Sequence, residues 1–155
     1  MKRLHLLTLT GLFMLVVLMA CDKEKGCGTK NISQTGSTRS HNMGQNCMTC
    51  HQSSGEGEGC FIVAGTVYTS SSGSTTAANG TIYLYTGPNA TGTLAATIQV
   101  DAKGNFHTTD ALDFGSGLYP VVKSASGAQQ FMGTTITQGA CSGCHGVTTD
   151  RIWVN

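Results

Sequence analysis

The chain has 155 residues, 39% of them hydrophobic and 11% charged, which suffices for one core and falls short of two substantial ones. Its formal net charge is +1 at pH 7, and loss of Lys2 and Arg3 with a removable leader turns it to −1. No basic face is left for nucleic acid, which is excluded as a partner.

The chain opens Met1-Lys2-Arg3, continues with an apolar run from Leu4 to Met19, and reaches Ala20-Cys21. A basic start, a short apolar stretch and a small residue before a cut site describe a signal peptide over residues 1–20. The run is shorter than the roughly 20 residues of a spanning helix, which argues against an uncleaved anchor. Leu18-Met19-Ala20-Cys21 resembles the lipobox of bacterial lipoproteins. That resemblance implies cleavage before Cys21, lipid attachment at Cys21, and an exported protein anchored to a bacterial membrane facing the periplasm or the cell surface. Each buried methylene contributes about 0.8 kcal/mol, so several acyl chains hold a protein without a second membrane signal.

Residues 21–40 lack apolar periodicity and read as a flexible tether of roughly 25 Å. Residues 41–60 carry a first Cys-x-x-Cys-His, and from Phe61 onward the pattern has period two. The runs "FIVAGTVY", "TIYLYT", "TLAATIQV", "GNFHTT", "LYPVV", "QQFMGTTI" and "RIWV" alternate with turn clusters such as "TSSSGSTTAANG", "TGPNATG", "DAKG" and "SASG". Leu94, Ala96, Ile98 and Val100 alternate with Ala95, Thr97, Gln99 and Asp101, predicting a strand with one buried face. These features predict an all-β fold over residues 61–155, an antiparallel β-sandwich of about seven strands. No helical period is present, and one short helix is expected at each Cys-x-x-Cys-His.

The succession Gly65-Thr66-Val67, Thr81-Ile82-Tyr83-Leu84, Val100-Asp101-Ala102-Lys103-Gly104-Asn105-Phe106 and Gly117-Leu118-Tyr119-Pro120-Val121 resembles the carboxypeptidase-regulatory-like, transthyretin-like sandwich. The likeness covers residues 61–136 and rests most on the Asp-x-x-Gly-x-Phe turn. It implies a fold and no activity, since such sandwiches host unrelated functions.

The chemistry lies in seven cysteines, four of which form Cys47-Met48-Thr49-Cys50-His51 and Cys141-Ser142-Gly143-Cys144-His145. Cys-x-x-Cys-His is the pattern of c-type haem attachment. Two thiols at that spacing add across the two vinyl groups of one haem, and the adjacent histidine is then held under the iron. With this composition chance supplies only about 0.01 such pentapeptides, so two are not accidental. Zinc sites usually separate their cysteine pairs by roughly 15–20 residues, whereas about ninety intervene here, and zinc does not explain a histidine after both pairs. A thioredoxin-type pair belongs on a βαβ unit that an all-β chain lacks. Two covalently attached c-type haems are therefore expected, with His51 and His145 as proximal ligands to iron. The whole chain resembles small lipoprotein dihaem c-type cytochromes, a haem-binding segment flanking the sandwich on each side.

Once Cys21 and the four motif cysteines are assigned, Cys27 and Cys60 are left. In an oxidising compartment they are expected to form a disulfide, with two free thiols as the alternative. Sixth-ligand candidates for iron are His41, Met132 and His107. His41 lies six residues before Cys47 and can cap its own haem or the other. His107 follows Phe106, so alternation turns it outward if Phe106 enters the core. Met132 lies nine residues before Cys141, on the way into the second motif. Met48 is trapped in the attachment loop, and Met43 is a remaining methionine. Phe131, Trp153 and Tyr119 read as packing residues, and "GEGEG" with Glu56 and Glu58 reads as a mobile loop with too few ligands for calcium.

No catalytic constellation accompanies the motifs, which favours an electron carrier over a catalyst. The function expected is electron transfer by a membrane-tethered dihaem cytochrome c, exchanging electrons with redox proteins or extracellular acceptors. A haem enzyme with one open iron site is one alternative, although no charged distal pair stands out. A self-assembling filament subunit is another, its edge strands pairing with neighbours. Both motifs are expected at one end or flank of the sandwich, because compact domains bring their termini together.

Overall fold

A computed structural model describes residues 26–155, so the expected signal peptide and the lipid site at Cys21 lie outside the described residues. Eight strands follow in order: β1 Val63–Tyr68, β2 Thr81–Gly87, β3 Thr91–Gln99, β4 Asn105–Thr108, β5 Tyr119–Lys123, β6 Gln129–Phe131, β7 Gly139–Ala140 and β8 Ile152–Trp153. Two single 3₁₀ turns occupy Cys47–Thr49 and Cys141–Gly143, the positions at which short helices were expected. Among the described residues no helix is long and apolar enough to cross a membrane.

One sheet has the order β3-β2-β5-β6 and is antiparallel throughout. The other is organised on β1, which pairs antiparallel with β4 and parallel with both β7 and β8. Those two parallel pairings depart from a purely antiparallel sandwich. Their cause is the path of the chain after β6, which returns to the beginning of β1 and then runs in the same direction beside it. The second Cys-x-x-Cys-His interrupts this run, which is why β7 and β8 are only two residues each.

The sheets share one core, in which Val63, Val67 and Phe106 of the first meet Ile82, Leu84, Ile98 and Val122 from the second. Phe106 reaches the core through the turn before it. Asp101 is buried, and its Oδ1 accepts the N–H groups of Lys103 at 2.8 Å and Asn105 at 3.0 Å. Gly104 completes the turn with φ +85, where a side chain would press on Thr76 and on the Val67 carbonyl, 2.6 and 2.9 Å from its Cβ. The expected alternation on β3 holds at Ile98, which is 4% exposed, and fails at Leu94, which is 46% exposed. The β2–β3 register shifts on both sides of Tyr85, so the hairpin end slips out of phase with the core.

The expected flexible tether needs correction over the part that is described. Ser33 is buried: its N–H donates to the His107 carbonyl at 2.9 Å, and its hydroxyl to the Gln99 carbonyl at 2.5 Å. Ala102 N–H donates to the Ser37 carbonyl at 2.9 Å, and Lys103 Nζ to the Ser40 carbonyl at 2.7 Å. A polar stretch without periodicity is thus held by backbone groups of the sandwich, including those at the open edge of β4. Cys27 and Cys60 form the expected disulfide, with a sequence separation of 33. Closing a loop of that length contributes about 3–4 kcal/mol by chain entropy. A Cys27→Ser/Cys60→Ser variant should lose about that much in urea unfolding, and an unchanged midpoint would show the bridge to be idle.

Candidate functional site

Both motifs are hung on β1. Val63 and Val67 point into the core, so Ala64, Thr66 and Tyr68 face the other way, and the segment before Cys47 lies over them. Thr66 Oγ1 accepts Gly44 N–H at 2.9 Å and donates to Asn105 Oδ1 at 2.6 Å, tying this segment to β1 and β4 together. Asn46 then caps the first turn, its Oδ1 accepting Met48 N–H at 3.2 Å. Phe61 N–H donates to the His51 carbonyl at 3.0 Å, closing the loop at the threshold of β1.

The second motif arrives along the edge of the same strand. Gly139 and Ala140 pair with Val63 and Ala64, the turn Cys141–Gly143 follows, and Ile152 and Trp153 pair with Val67 and Tyr68. Gly65 makes room for this approach, since a Cβ there would lie 2.6 Å from the Phe106 ring and 3.1 Å from Cys141 Cβ. The two motifs meet: a Cβ on Gly143 would sit 3.7 Å from Asn46 Nδ2. Segments about ninety residues apart therefore share one flank of the sandwich, as expected of a compact domain.

The two motif histidines are held in the same way. His51 Nδ1 lies 3.0 Å from the Glu58 carbonyl, and His145 Nδ1 lies 2.6 Å from the Asp150 carbonyl. A carbonyl can only accept, so Nδ1 carries the proton and Nε2 keeps its lone pair. Neither Nε2 makes a hydrogen bond among the described residues. The "GEGEG" stretch is thus the buckle that orients His51, through the backbone of Glu58. Its glycines are required by crowding, since a Cβ on Gly57 would lie 2.7 Å from the His51 ring and 2.9 Å from the Cys50 carbonyl.

Three more aromatic rings gather at His51. Phe61 is stacked between His51, at 3.9 Å, and His107, at 4.4 Å. The His41 ring lies 6.2 Å from that of His51. His107 points away from the core as alternation required, yet it stands behind Phe61, with Nε2 bonded at 3.0 Å to Asn31 Oδ1. Burial lowers its pKa to about 4; nearby Asp101 opposes the shift, and His51 and His41 add to it. Sequence reasoning placed Phe61 only as the start of a strand, and its role between two histidines had no local signal.

Around the second motif the space is larger. Cys141, Cys144 and His145 line a cavity of about 650 Å³ together with Phe106, Met132 and Trp153. That volume is in the range of cofactor pockets, and its floor is the core between the sheets. A polar recess of about 190 Å³ lies between the motifs, bounded by Gln45, Thr66, Tyr68, His145 and Arg151. Arg151 stands over the Tyr68 ring at 4.5 Å and donates to the Gly73 carbonyl. The four motif cysteines are free thiols. Burial pushes Cys141 up to about 12, with Cys144 and Cys47 adding to the shift, and burial also raises Cys47. Cys47 and Cys141 are thus neutral thiols, better suited to a neutral thioether than to a thiolate nucleophile.

Among the described residues no group of three or more His, Cys, Asp and Glu side chains could hold a metal ion by itself. Comparison with protein families, curated proteins and solved structures gives no match to this chain. The chemistry of the site is read from its own residues.

Two outcomes are expected. Gly57→Ala should displace the His51 ring from Phe61, visible as loss of their ring-to-ring nuclear Overhauser contacts, and should cost about 1–3 kcal/mol in thermal unfolding. A wild-type-like spectrum and stability would refute the close fit. His107, with its folded pKa below the unfolded value near 6.5, binds its proton more readily when unfolded. Its contribution to stability is present above pH 6.5 and lost as pH falls through 4, on the order of 1–2 kcal/mol after allowance for partial solvent screening. An NMR titration of the His107 ring with a midpoint near 6.5 would contradict this.

Proposed function

We propose that the chain is a membrane-tethered dihaem c-type cytochrome that carries electrons outside the cytoplasm. The observation that carries the reading is the paired geometry of His51 and His145. Each follows two free thiols on a 3₁₀ turn, each gives its Nδ1 proton to a backbone carbonyl, and each leaves Nε2 open. An iron whose equatorial ligands come from a porphyrin needs just such a single imidazole from beneath.

The residues present fit that group. Cys47 and Cys50 would hold one haem, Cys141 and Cys144 the other, with His51 and His145 as axial ligands. Bound haem supplies one-electron iron chemistry. The chain's own part is to fix the ligands and shape their surroundings. The carbonyls of Glu58 and Asp150 set the tautomer and raise the basicity of the imidazoles. Phe61 packs against the His51 ring, and the cavity at Cys141 offers an apolar wall of Val63, Leu84 and Phe106. The likeness of residues 61–136 to the carboxypeptidase-regulatory-like sandwich belongs to the same reading, supported by two facing sheets and the Asp101 turn.

Lipid on Cys21 would place the domain at a bacterial membrane, with periplasmic redox proteins or acceptors at the cell surface as partners. Addition of each S–H across a vinyl group loses no atom, so every attached haem should add its whole mass. A pyridine haemochrome assay with intact mass on the exported protein should give two haems per chain that resist acid–acetone, together with acylation at Cys21. Extractable colour, or fewer than two haems, would falsify the reading.

A further inference from the structure

We infer that the two irons have different sixth ligands, His41 completing the site of His51 and Met132 completing that of His145. The inference rests on the dihaem reading. Sequence spacing leaves His41 able to serve either motif; the fold places it beside His51, ring centroids 6.2 Å apart. That separation is of the size at which two imidazoles can share one metal ion. The His41 backbone is pinned, since Asn105 Nδ2 donates to its carbonyl at 3.1 Å and to Ser40 Oγ at 3.0 Å. Its ring is exposed and makes no hydrogen bond among the described residues, so it is anchored at the root and free at the tip. His107 does not compete, because Phe61 stands between it and His51 and Asn31 holds its Nε2.

The second site has no such histidine. Among the described residues lining the 650 Å³ cavity, His145 is the only imidazole, and Met132 supplies a thioether on the same walls. Met132 is positioned from its backbone, with its N–H donating to the Pro120 carbonyl at 3.0 Å. A thioether is a soft, uncharged ligand that suits a largely apolar wall. Met43 borders the small polar recess of about 190 Å³, which lacks room for a macrocycle.

Methionine opposite histidine raises the potential of a haem iron relative to a pair of histidines. The site of His51 and His41 is therefore the low-potential one, and that of His145 and Met132 the high-potential one. An electron delivered by a donor protein to the first moves downhill to the second, which passes it to the acceptor.

The test uses optical and electron paramagnetic spectra of the exported holoprotein. The oxidised wild type should show a sulfur-to-iron charge-transfer band with the intensity of one haem per chain, and two separated midpoints on redox titration. Met132→Leu should abolish that band and let carbon monoxide bind one haem per chain once reduced, and Met43→Leu should leave the band intact. His41→Ala should keep the band and open the other haem to carbon monoxide. Absence of the band in the wild type, its survival in Met132→Leu, or a His41→Ala protein that binds no carbon monoxide overturns the assignment. Should Met132→Leu not mature, the wild-type band and His41→Ala decide. Two covalent haems with the wrong spectra overturn the ligand assignment alone; fewer than two covalent haems overturn the dihaem reading with it.

Discussion

The molecule depends on β1, all six residues of which are buried. A strand in the middle of a sandwich is covered on one face by the opposite sheet, but its other face and its far edge need covers of their own. Here both are provided by the Cys-x-x-Cys-His segments and the chain that leads into them. The segment from Ser40 to Asn46 lies on the outer face through Thr66 and Asn105, and the second motif closes the edge between β7 and β8. The covers are part of the fold, so they are positioned as firmly as the strand they protect.

The same arrangement explains what was legible in the sequence. Long alternating runs such as those of β1, β2 and β5 announce themselves because side-chain periodicity survives wherever one face meets the core. The two-residue β7 has no period to show, and its parallel pairing follows from where the chain re-enters, which is a tertiary fact. Leu94 misled because bulges beside Tyr85 shift the phase of the hairpin. Residues 26–40 misled because polar composition reports a failure to build a core, whereas Ser33 bonds sheet backbone, Ser37 the turn after β3, and Ser40 the side chains of Lys103 and Asn105. At the candidate site, the motif spacing singled out Cys47, Cys50, His51, Cys141, Cys144 and His145. The neighbours of those residues, Phe61 and the Glu58 and Asp150 carbonyls, act through packing and backbone and leave no residue-type signature.

The site is built almost wholly from uncharged groups. Carbonyls orient the histidines, the Cys47 and Cys141 thiols stay neutral, and His107 is neutral behind Phe61. The ion pair of Lys30 and Asp110 is exposed, and such pairs contribute little. In surroundings of this kind a metal's properties follow from ligand identity and degree of burial, with few fixed charges to offset a change in its own.

The Cys27–Cys60 bridge also sets a geometric limit on where the protein can work. With lipid on Cys21, as proposed, the anchor stands six positions before Cys27, where a covalent bond joins the chain to Cys60, next to Phe61. Six peptide links reach at most about 20 Å, so a lipid at Cys21 would keep Cys27 and Cys60 within that distance of the bilayer surface. On that proposal, a redox partner of the first motif would have to approach it at the membrane surface.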